Sequence, residues 1–392
     1  YKLALRLRQY VKVNEIMQSA IASNPENSRG RLYLEKESEY RSSFQRDRDR
    51  VIHCKAFRRL KHKTQVFVAH EGDHFRTRLS HTIEVGQVAR TISKTLELNS
   101  ELTEVISLAH DLGHPPFAHV GEDMLKFKME NYGGFDHNAQ AIKIVTSLEK
   151  TYAEFDGLNL TWETLEGIAK HNGPLINDIP YAVDSYSNIH NMELSTHASA
   201  EAQVAAISDD IAYNNHDLDD GLRANLFTEN DILHLPIVGE CFSIVDAKYP
   251  GLDPIRRRNE ALRRIFGVMV KDVIITSKSL IQNSCASSSQ EVRELGSQII
   301  QFSPDMNEKI NEIRIYLFDN MYRSDRVNIM RERASLIVGG LFDYFMNDKK
   351  LLPVQWSYGA NEIQQARLIS DYLSGMTDGY AEFRYTELTS GS

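Results

Sequence analysis

Three histidines and one carboxylate fall within ten residues of this chain, in the segment His110-Asp111-Leu112-Gly113-His114-Pro115-Pro116-Phe117-Ala118-His119. An imidazole followed directly by a carboxylate offers nitrogen and oxygen ligands, which borderline-to-hard divalent cations accept in proteins. The alternative interpretation is a histidine–aspartate hydrogen bond that closes a helix end. This segment alone supports the two interpretations equally.

The helix that carries this segment precedes it. Apolar residues recur at positions i, i+3, i+4 and i+7 from Leu102 to Ala109, which predicts a helix over residues 101–111 with one buried face. The glycine and the proline pair that follow end this helix. The helix therefore places His110 and Asp111 at its C-terminal end.

A preceding helix supplies another histidine. Apolar residues repeat with helical spacing up to about residue 97, and His81 lies near the start of that helix. Arg78 lies three residues before His81, so the two side chains share a face. A short turn joins this helix to the 101–111 helix, and an antiparallel hairpin would bring His81 beside the His-Asp pair.

A third predicted helix, residues 199–217, carries Asp209, Tyr213 and Asp217 at steps of four. Such a stripe is usually exposed, but alanine-rich surroundings favour a packed helix whose acids need partners. The three helices together offer two imidazoles and two carboxylates, from His81, His110, Asp111 and Asp209. This donor set fits Mn²⁺, Mg²⁺, Fe²⁺, Co²⁺ or Ni²⁺ and leaves coordination positions for water and substrate.

The composition limits the class of protein. With 45 Lys and Arg against 54 Asp and Glu, the net charge of −9 disfavours a general nucleic-acid coat, although a local basic pocket remains open. Only three cysteines occur and none forms a Cys-x-x-Cys pair, so we expect neither a disulfide framework nor a thiolate zinc site, and a cytoplasmic location. No apolar run approaches 18 residues, so we expect no membrane contact.

Elsewhere the pattern predicts a mainly α protein, because alternating strand patterns are scarce. The pattern from Arg46 to Lys63 predicts a basic amphipathic helix. The charged face of such a helix is usually exposed to solvent. A short extended piece follows from Gln65 to Val68. Asn138 is a plausible cap for a helix that begins there. Further helices are predicted at residues 255–283, 289–302, 305–319, 325–347 and 360–376.

The order of these motifs resembles the HD superfamily of metal phosphohydrolases, with a histidine on one helix, a His-Asp doublet on the next and a distant aspartate. The likeness is closer to the deoxynucleoside triphosphate triphosphohydrolases, in their bacterial dGTPase-like branch. Besides the segment of residues 110–119, it rests on Ser43-Phe44-Gln45-Arg46-Asp47-Arg48-Asp49-Arg50, Ala56-Phe57-Arg58-Arg59-Leu60, Lys63-Thr64-Gln65-Val66-Phe67, Ser208-Asp209-Asp210-Ile211-Ala212-Tyr213 and Gly375-Met376-Thr377-Asp378.

The resemblance implies roles for individual residues. The ligands of one divalent metal, Mn²⁺ or Mg²⁺ before Fe²⁺, Co²⁺ or Ni²⁺, would be His81, His110, Asp111 and Asp209. His119 and Glu122 match the catalytic histidine and glutamate of the family. His114 and His137 match further active-site positions. Phosphate oxygens would be held by Arg78 and Lys170. Tyr213 and Asp217 would recognise the sugar. Gln65 and Tyr322 would line the pocket for the base and the sugar.

The function implied is hydrolysis of deoxynucleoside triphosphates, dGTP or dNTPs generally, to deoxynucleoside and tripolyphosphate. Relatives often carry histidine where this chain has Ser324, which leaves the preferred base open. The resemblance also implies a homo-oligomer and allows a nucleotide effector. It divides the chain into an N-terminal arm (1–40), an HD core (41–230) and a C-terminal helical region (231–392) that completes the nucleotide pocket and the oligomer contacts.

Two rival interpretations remain. The first is an HD phosphodiesterase or nucleotidase acting on another phosphoester. The second is a nucleotide sensor or single-strand nucleic-acid binder without turnover, which the charge of −9 supports weakly. Single residues also have plainer alternatives: His114 as a loop cap, His137 as a cap neighbour, Lys170 as a solvated helix end and Tyr213 as core filler.

Overall fold

A computed structural model describes residues 19–65 and 76–390, and the expectation for Val66–Val68 lies outside them. Within the first half of this part the helices are α1 (Ser43–His53), α2 (Lys55–Arg59), α3 (Arg78–Thr95), α4 (Ser100–Ala109), α5 (Ala118–Met129), α6 (His137–Lys143), α7 (Trp162–Ala169), α8 (Tyr181–Ser187) and α9 (Ala200–Arg223). The described residues contain no β-sheet, only isolated bridges. The predicted mainly α class is confirmed.

The second half continues in the same way. Its helices are α10 (Glu229–Ile232), α11 (Val238–Lys248), α12 (Pro254–Ser284), α13 (Ser289–Glu294), α14 (Pro304–Leu317), α15 (Asp325–Asn347), α16 (Glu362–Ser374) and α17 (Asp378–Ser390). Within the described ranges, no helix combines the length and apolar character needed to cross a bilayer.

Helices α3 and α4 form the predicted hairpin, and α9 packs against both. Thr77 caps the N-terminus of α3, because its hydroxyl accepts from Ser80 N. In return, the Ser80 hydroxyl oxygen accepts from the Thr77 backbone N–H. Asn99 caps α4 by accepting from the N–H groups of Glu101 and Leu102. These caps set the helix starts, and so the positions of the side chains one turn further on.

Three apolar cores hold the helices together. The first joins α3, α9, α11, α12 and α14, and it also contains Ile21. The second joins α1, α2, α4, α6, α7 and α9. The third joins α5 to α15, α16 and α17. The division at residues 40 and 230 stays a prediction, and the first core runs across both positions.

Three local predictions were wrong. The 46–63 helix is interrupted at Cys54, whose thiol accepts from Phe57 N at 3.3 Å and caps α2 instead. The helix predicted for residues 289–302 ends at Glu294, because the later N–H groups of Ile299 and Ile300 donate to a side chain of α9. The cap of α6 is Asp136 rather than Asn138.

Candidate metal centre and active site

The α3–α4 hairpin places His81 beside the turn that follows α4. That turn is a short 3₁₀ helix, His110–Gly113. A Cβ on Gly113 would lie 1.9 Å from the carbonyl oxygen of His137 and 2.4 Å from Ala141 N. Glycine is therefore required there because the turn packs directly on the backbone of α6.

The structure brings the four predicted metal ligands together. His81, His110 and Asp111 are buried and place ligand atoms within 4.8 Å of one another. Asp209 reaches them from α9, with its Oδ1 2.9 Å from His81 Nε2 and 3.6 Å from His110 Nε2. Side chains far apart in sequence thus converge on one point between three helices.

The chemistry of His110 fits a metal. Its Nδ1 lies 2.6 Å from the carbonyl oxygen of Ser107, which can only accept, so Nδ1 carries the proton and Nε2 carries the lone pair. Within residues 19–65 and 76–390, Nε2 is buried without a hydrogen-bond partner. An orphaned buried lone pair aimed at two carboxylates is the arrangement that a divalent cation satisfies.

The protonation states are consistent with this. Burial lowers the pKa of His110 and keeps it neutral. Burial acts to raise the pKa of Asp111, but Arg78 and the neighbouring histidines outweigh it and hold that pKa below its ordinary value. Asp209 is likewise held well below its ordinary pKa, against burial, by the positive charge that His110 carries when protonated and by hydrogen bonds from His171 and His81. Both acids are therefore ionised, as metal ligands must be.

Two residues that sequence reasoning missed hold His81 in place. His81 Nδ1 lies 3.2 Å from Nδ1 of His216, whose Nε2 is paired with the carboxylate of Glu84. Because that carboxylate accepts the Nε2 proton, His216 Nδ1 is an acceptor and His81 Nδ1 is the donor. In this tautomer the Nε2 lone pair faces the ligand cluster and can bind a cation, whereas without a cation the Asp209 carboxylate, 2.9 Å away, raises the pKa of His81 against the effect of burial. Helical spacing could have found both, since Glu84 lies three residues after His81 and His216 seven after Asp209.

A third missed residue is His171, which follows the C-cap residue Lys170 of α7. Its ring stacks on His110 with centroids 5.3 Å apart, and its Nε2 lies 3.5 Å from Asp209 Oδ2. In the sequence it stood only in a helix-ending motif, with no signal of this contact.

The predicted catalytic residues form a second cluster. Glu122 places Oε1 2.9 Å from His137 Nδ1 and Oε2 3.6 Å from His119 Nδ1. The His114 ring stacks on His137 at 4.0 Å and lies edge-on to His119 at 5.5 Å. His114 Nε2 is 3.3 Å from Asp111 Oδ1, so the two clusters are continuous.

This second cluster is suited to proton transfer. His114, Glu122 and His137 place ligand atoms within 4.8 Å of one another, but the Lys126 ammonium also lies 3.0 Å from Glu122 Oε1. Burial acts to lower the pKa of His137, and the Glu122 carboxylate outweighs it and raises that pKa. The Lys126 ammonium and the His137 imidazole thus already pair with the carboxylate, which disfavours a second metal here.

The two predicted phosphate-binding cations differ in their surroundings. Arg78 is 1% exposed and donates one bond, at 2.7 Å, to Asp111, while its Nε and Nη2 are buried without partners among the described residues. Lys170 instead donates to Glu166 and Thr196, at 3.1 and 2.8 Å. Lys170 as a phosphate ligand stays a prediction, and it requires the ammonium to leave this buried pair.

The basic helix is largely occupied by ion pairs. Arg46 and Arg50 both contact Glu35, and Arg48 contacts Glu104 at 3.2 Å. Arg50 is buried rather than solvated. These arginines hold the segment before α1 and the α4 surface, so they are structural cations.

The predicted sugar residues form a hydrogen-bonded row. The hydroxyl of Tyr322 contacts both the hydroxyl of Tyr213 and Oδ2 of Asp217. Asp217 Oδ1 is buried without a partner in the part of the chain that the structure describes, and burial raises the pKa of this acid to about 7. Gln65 is also buried, and its Oε1 has no partner among the same residues. Ser324 caps α15 and donates to Met321 O at 2.8 Å.

Fold and site together define a helical, metal-dependent hydrolase with an HD domain. The HD domain family matches residues 78–214, and the phosphohydrolase-associated domain family matches residues 300–387. The first match covers the ligand cluster, and the second covers Tyr322, α15, α16 and α17 as far as residue 387.

Full-length relatives make the assignment more specific. Proteins named deoxyguanosinetriphosphate triphosphohydrolase-like protein occur in Ruegeria sp. (strain TM1040), Paracoccus denitrificans (strain Pd 1222) and Caulobacter vibrioides. They are 56, 56 and 50% identical to this chain, over 96, 93 and 92% of it and 100, 98 and 93% of their own lengths. The chain belongs to the deoxyguanosinetriphosphate triphosphohydrolase-like family. The resemblance seen in the sequence is confirmed.

Proposed function

We propose that this protein hydrolyses deoxynucleoside triphosphates to deoxynucleoside and tripolyphosphate. The observation that carries the proposal is the continuity of the two clusters, joined by the 3.3 Å contact between Asp111 Oδ1 and His114 Nε2. A predicted metal ligand and a residue of the second cluster are thus in direct contact, which supports a shared substrate site. The names of the relatives supply the substrate class.

One divalent metal, Mn²⁺ or Mg²⁺, would be held by His81, His110, Asp111 and Asp209. When bound, it supplies a Lewis acid that polarises a phosphoryl oxygen and offsets the charge that develops there. Hard oxygen ligands beside two imidazoles fit either ion.

Arg78 is the strongest candidate for binding the triphosphate. Its bond to Asp111 leaves the buried Nε and Nη2 without acceptors. Charge-assisted bonds from a guanidinium to phosphate oxygens would satisfy both atoms, and the fork geometry of arginine fits a phosphate well.

His119 and Glu122 would move the proton. The Glu122 carboxylate faces His119 Nδ1, so a proton is taken up or delivered at Nε2 of a half-exposed ring. Glu122 keeps its charge because, against the effect of burial, His119 and His137 hold its pKa below the ordinary value. The geometry accommodates either activation of water or protonation of the leaving 5′-oxygen.

Asp217 and Tyr213 would select the sugar. The unpartnered Asp217 Oδ1 is an acceptor for a 3′-hydroxyl, and the Tyr213 ring would occupy the space that a 2′-hydroxyl needs. Gln65 and Tyr322 would line the base and sugar pocket beside them. We also propose a homo-oligomer and a nucleotide effector, which the family resemblance supports. A cytoplasmic location is supported by the three free cysteines.

The test is product identification with each dNTP in the presence of Mn²⁺ or Mg²⁺. We expect one deoxynucleoside and one intact tripolyphosphate per turnover, and a loss of about 10²–10⁴-fold in kcat for His119→Ala with the metal retained. Stepwise release of phosphate would replace the proposal with the nucleotidase alternative. Salt-sensitive binding of single-stranded DNA without any hydrolysis would replace it with the sensor alternative.

A further inference from the structure

The loop that joins His114 to His119 within the second cluster has an unfavourable backbone. Phe117 and Ala118 are adjacent residues with φ of 64° and 56°, a region that residues with a Cβ rarely occupy. Phe117 is also the N-cap of α5 and makes no side-chain capping bond. His119 follows immediately, so its position depends on what holds this conformation in place.

A C-terminal carboxylate provides that support. Asp378, the first residue of α17, is 5% exposed and accepts the backbone N–H of Phe117 at 3.0 Å through Oδ1. Its Oδ2 accepts from Thr64 N at 2.8 Å and from the Thr64 hydroxyl. One side chain thus ties the His-rich loop to the segment that carries Gln65.

A second tie lies beside the first. The buried ammonium of Lys63 donates to the carbonyl oxygens of His114 at 2.6 Å and of Ser374 at 2.7 Å. The loop is therefore held at both ends by contacts that include α16 and α17. These contacts leave the metal ligands free, since none of them involves residues 81, 110, 111 or 209.

We propose that Asp378 is a positioning residue that holds His119 in its working geometry by fixing the strained backbone of Phe117 and Ala118. The proposal rests on the proposed function, because it requires that His119 transfers a proton and that the strained backbone positions His119 for this step. The C-terminal helices are then part of the catalytic apparatus, although none of their contacts reaches the reacting atoms.

The decisive variant is Asp378→Asn. An amide has one acceptor oxygen, so if that oxygen keeps the two Thr64 bonds, its NH₂ group faces the N–H of Phe117 and that bond is lost. Misplacement of a catalytic group by about 1 Å costs on the order of 10²-fold in rate. We expect kcat to fall by about this factor, with KM and metal content close to those of the parent protein.

Second-site rescue separates positioning from stability. Glycine adopts a positive φ without strain, so Ala118→Gly should recover much of the kcat that Asp378→Asn loses. The matched control is Asp47→Asn, which removes a comparable buried carboxylate that accepts from the backbone and hydroxyl of Thr161 at 2.9 and 2.6 Å. The control should lower stability, leave kcat unchanged at a permissive temperature and gain nothing from Ala118→Gly.

Amide exchange tests the same idea without activity. In the parent protein the Phe117 N–H should exchange as slowly as amides inside α5, and in Asp378→Asn it should exchange much faster. Fast exchange in the parent, or full kcat in Asp378→Asn, would overturn the positioning role. If the parent hydrolyses no dNTP, the proposed function fails, while the exchange result still decides whether Asp378 holds the loop.

Discussion

At the residue scale, buried groups without partners mark where a ligand belongs. His110 Nε2, two nitrogens of Arg78 and one oxygen of Asp217 are each buried and unpartnered. Leaving such atoms unsatisfied costs about 1–3 kcal/mol each. Other buried atoms without partners, such as Arg258 Nε and Arg384 Nε, lie elsewhere in the described residues, but these four face the proposed metal and substrate, whose binding would recover their cost.

The Glu84–His216 pair allows a prediction about metal affinity. Because Glu84 fixes the tautomer of His216, and His216 fixes that of His81, Glu84→Ala should weaken Mn²⁺ binding by about 10–100-fold. Titration followed by the electron paramagnetic resonance signal of free Mn²⁺ measures this. Glu104→Ala, which removes a surface partner of Arg90 and Arg48, should leave the affinity unchanged. Equal affinities for the two variants would rule out the relay.

Asp217 gives a pH-dependent prediction. Burial raises its pKa from 3.8 to about 7, so the folded state binds the proton more tightly than the unfolded state. The parent protein therefore loses stability between about pH 4 and 7, whereas Asp217→Asn, which resembles the protonated acid, does not. The variant should match the parent near pH 4 and exceed its unfolding free energy by on the order of 2–4 kcal/mol at pH 8. Thermal unfolding across this range checks the sign, and an equal difference at both pH values would contradict it.

At the element scale, the close approach of the 3₁₀ turn to α6 is the most demanding contact. A Cβ at Gly113 would lie 1.9 Å from His137 O, a backbone atom that cannot move without shifting α6. Gly113→Ala should cost about 3 kcal/mol or more and also reduce metal binding, since His110 and Asp111 share the turn. Gly86→Ala is the control, because its nearest neighbour would be Leu108 Cδ2 at 3.8 Å. That change should be neutral or stabilise by up to about 1 kcal/mol. Chemical unfolding and metal analysis of both variants test the contrast.

The elements also show how far sequence reasoning reaches. Long amphipathic helices such as α3, α4 and α9 were predictable because one periodic face dominates each of them. The end of α13 was not, because the Gln203 side chain, distant in sequence, accepts the N–H groups of Ile299 and Ile300. A thiol cap at Cys54 was equally hidden, since cysteine is not among the preferred capping residues.

The same limit applies to the site. The four predicted ligands could be named from residue type, order and family likeness, and the structure places them together. Their support could not be read in this way. His216 looked like one more residue of a helix, and Asp378 lies 261 positions from the backbone N–H that it accepts. Outer contacts of this kind depend on tertiary packing, which no local pattern encodes.

At the scale of the whole molecule, the ligand cluster joins elements from different cores. His81 and the His110-Asp111 turn come from the hairpin, while Asp209 lies on α9, which contributes Val204 and Ile211 to the first core and Ala202 to the second. A bound cation therefore cross-links both cores. The free energy of metal binding therefore adds to the free energy of unfolding, because the unfolded chain has no assembled site.

Metal removal should consequently lower the stability of the entire molecule. At a Mn²⁺ concentration one hundred times Kd, mass action adds about 2.7 kcal/mol, which for a chain of this length raises Tm by about 3 °C relative to the chelator-treated protein. Asp209→Ala should abolish the increase, because it removes the ligand that joins α9 to the hairpin. Asp210→Ala is its matched control, an exposed acid at the adjacent position, paired with Arg314, and it should retain the increase. Calorimetry at constant ionic strength measures all three proteins. An equal rise in Asp209→Ala would show that Mn²⁺ acts elsewhere on the surface, and the assignment of the cluster as the metal centre would have to be abandoned.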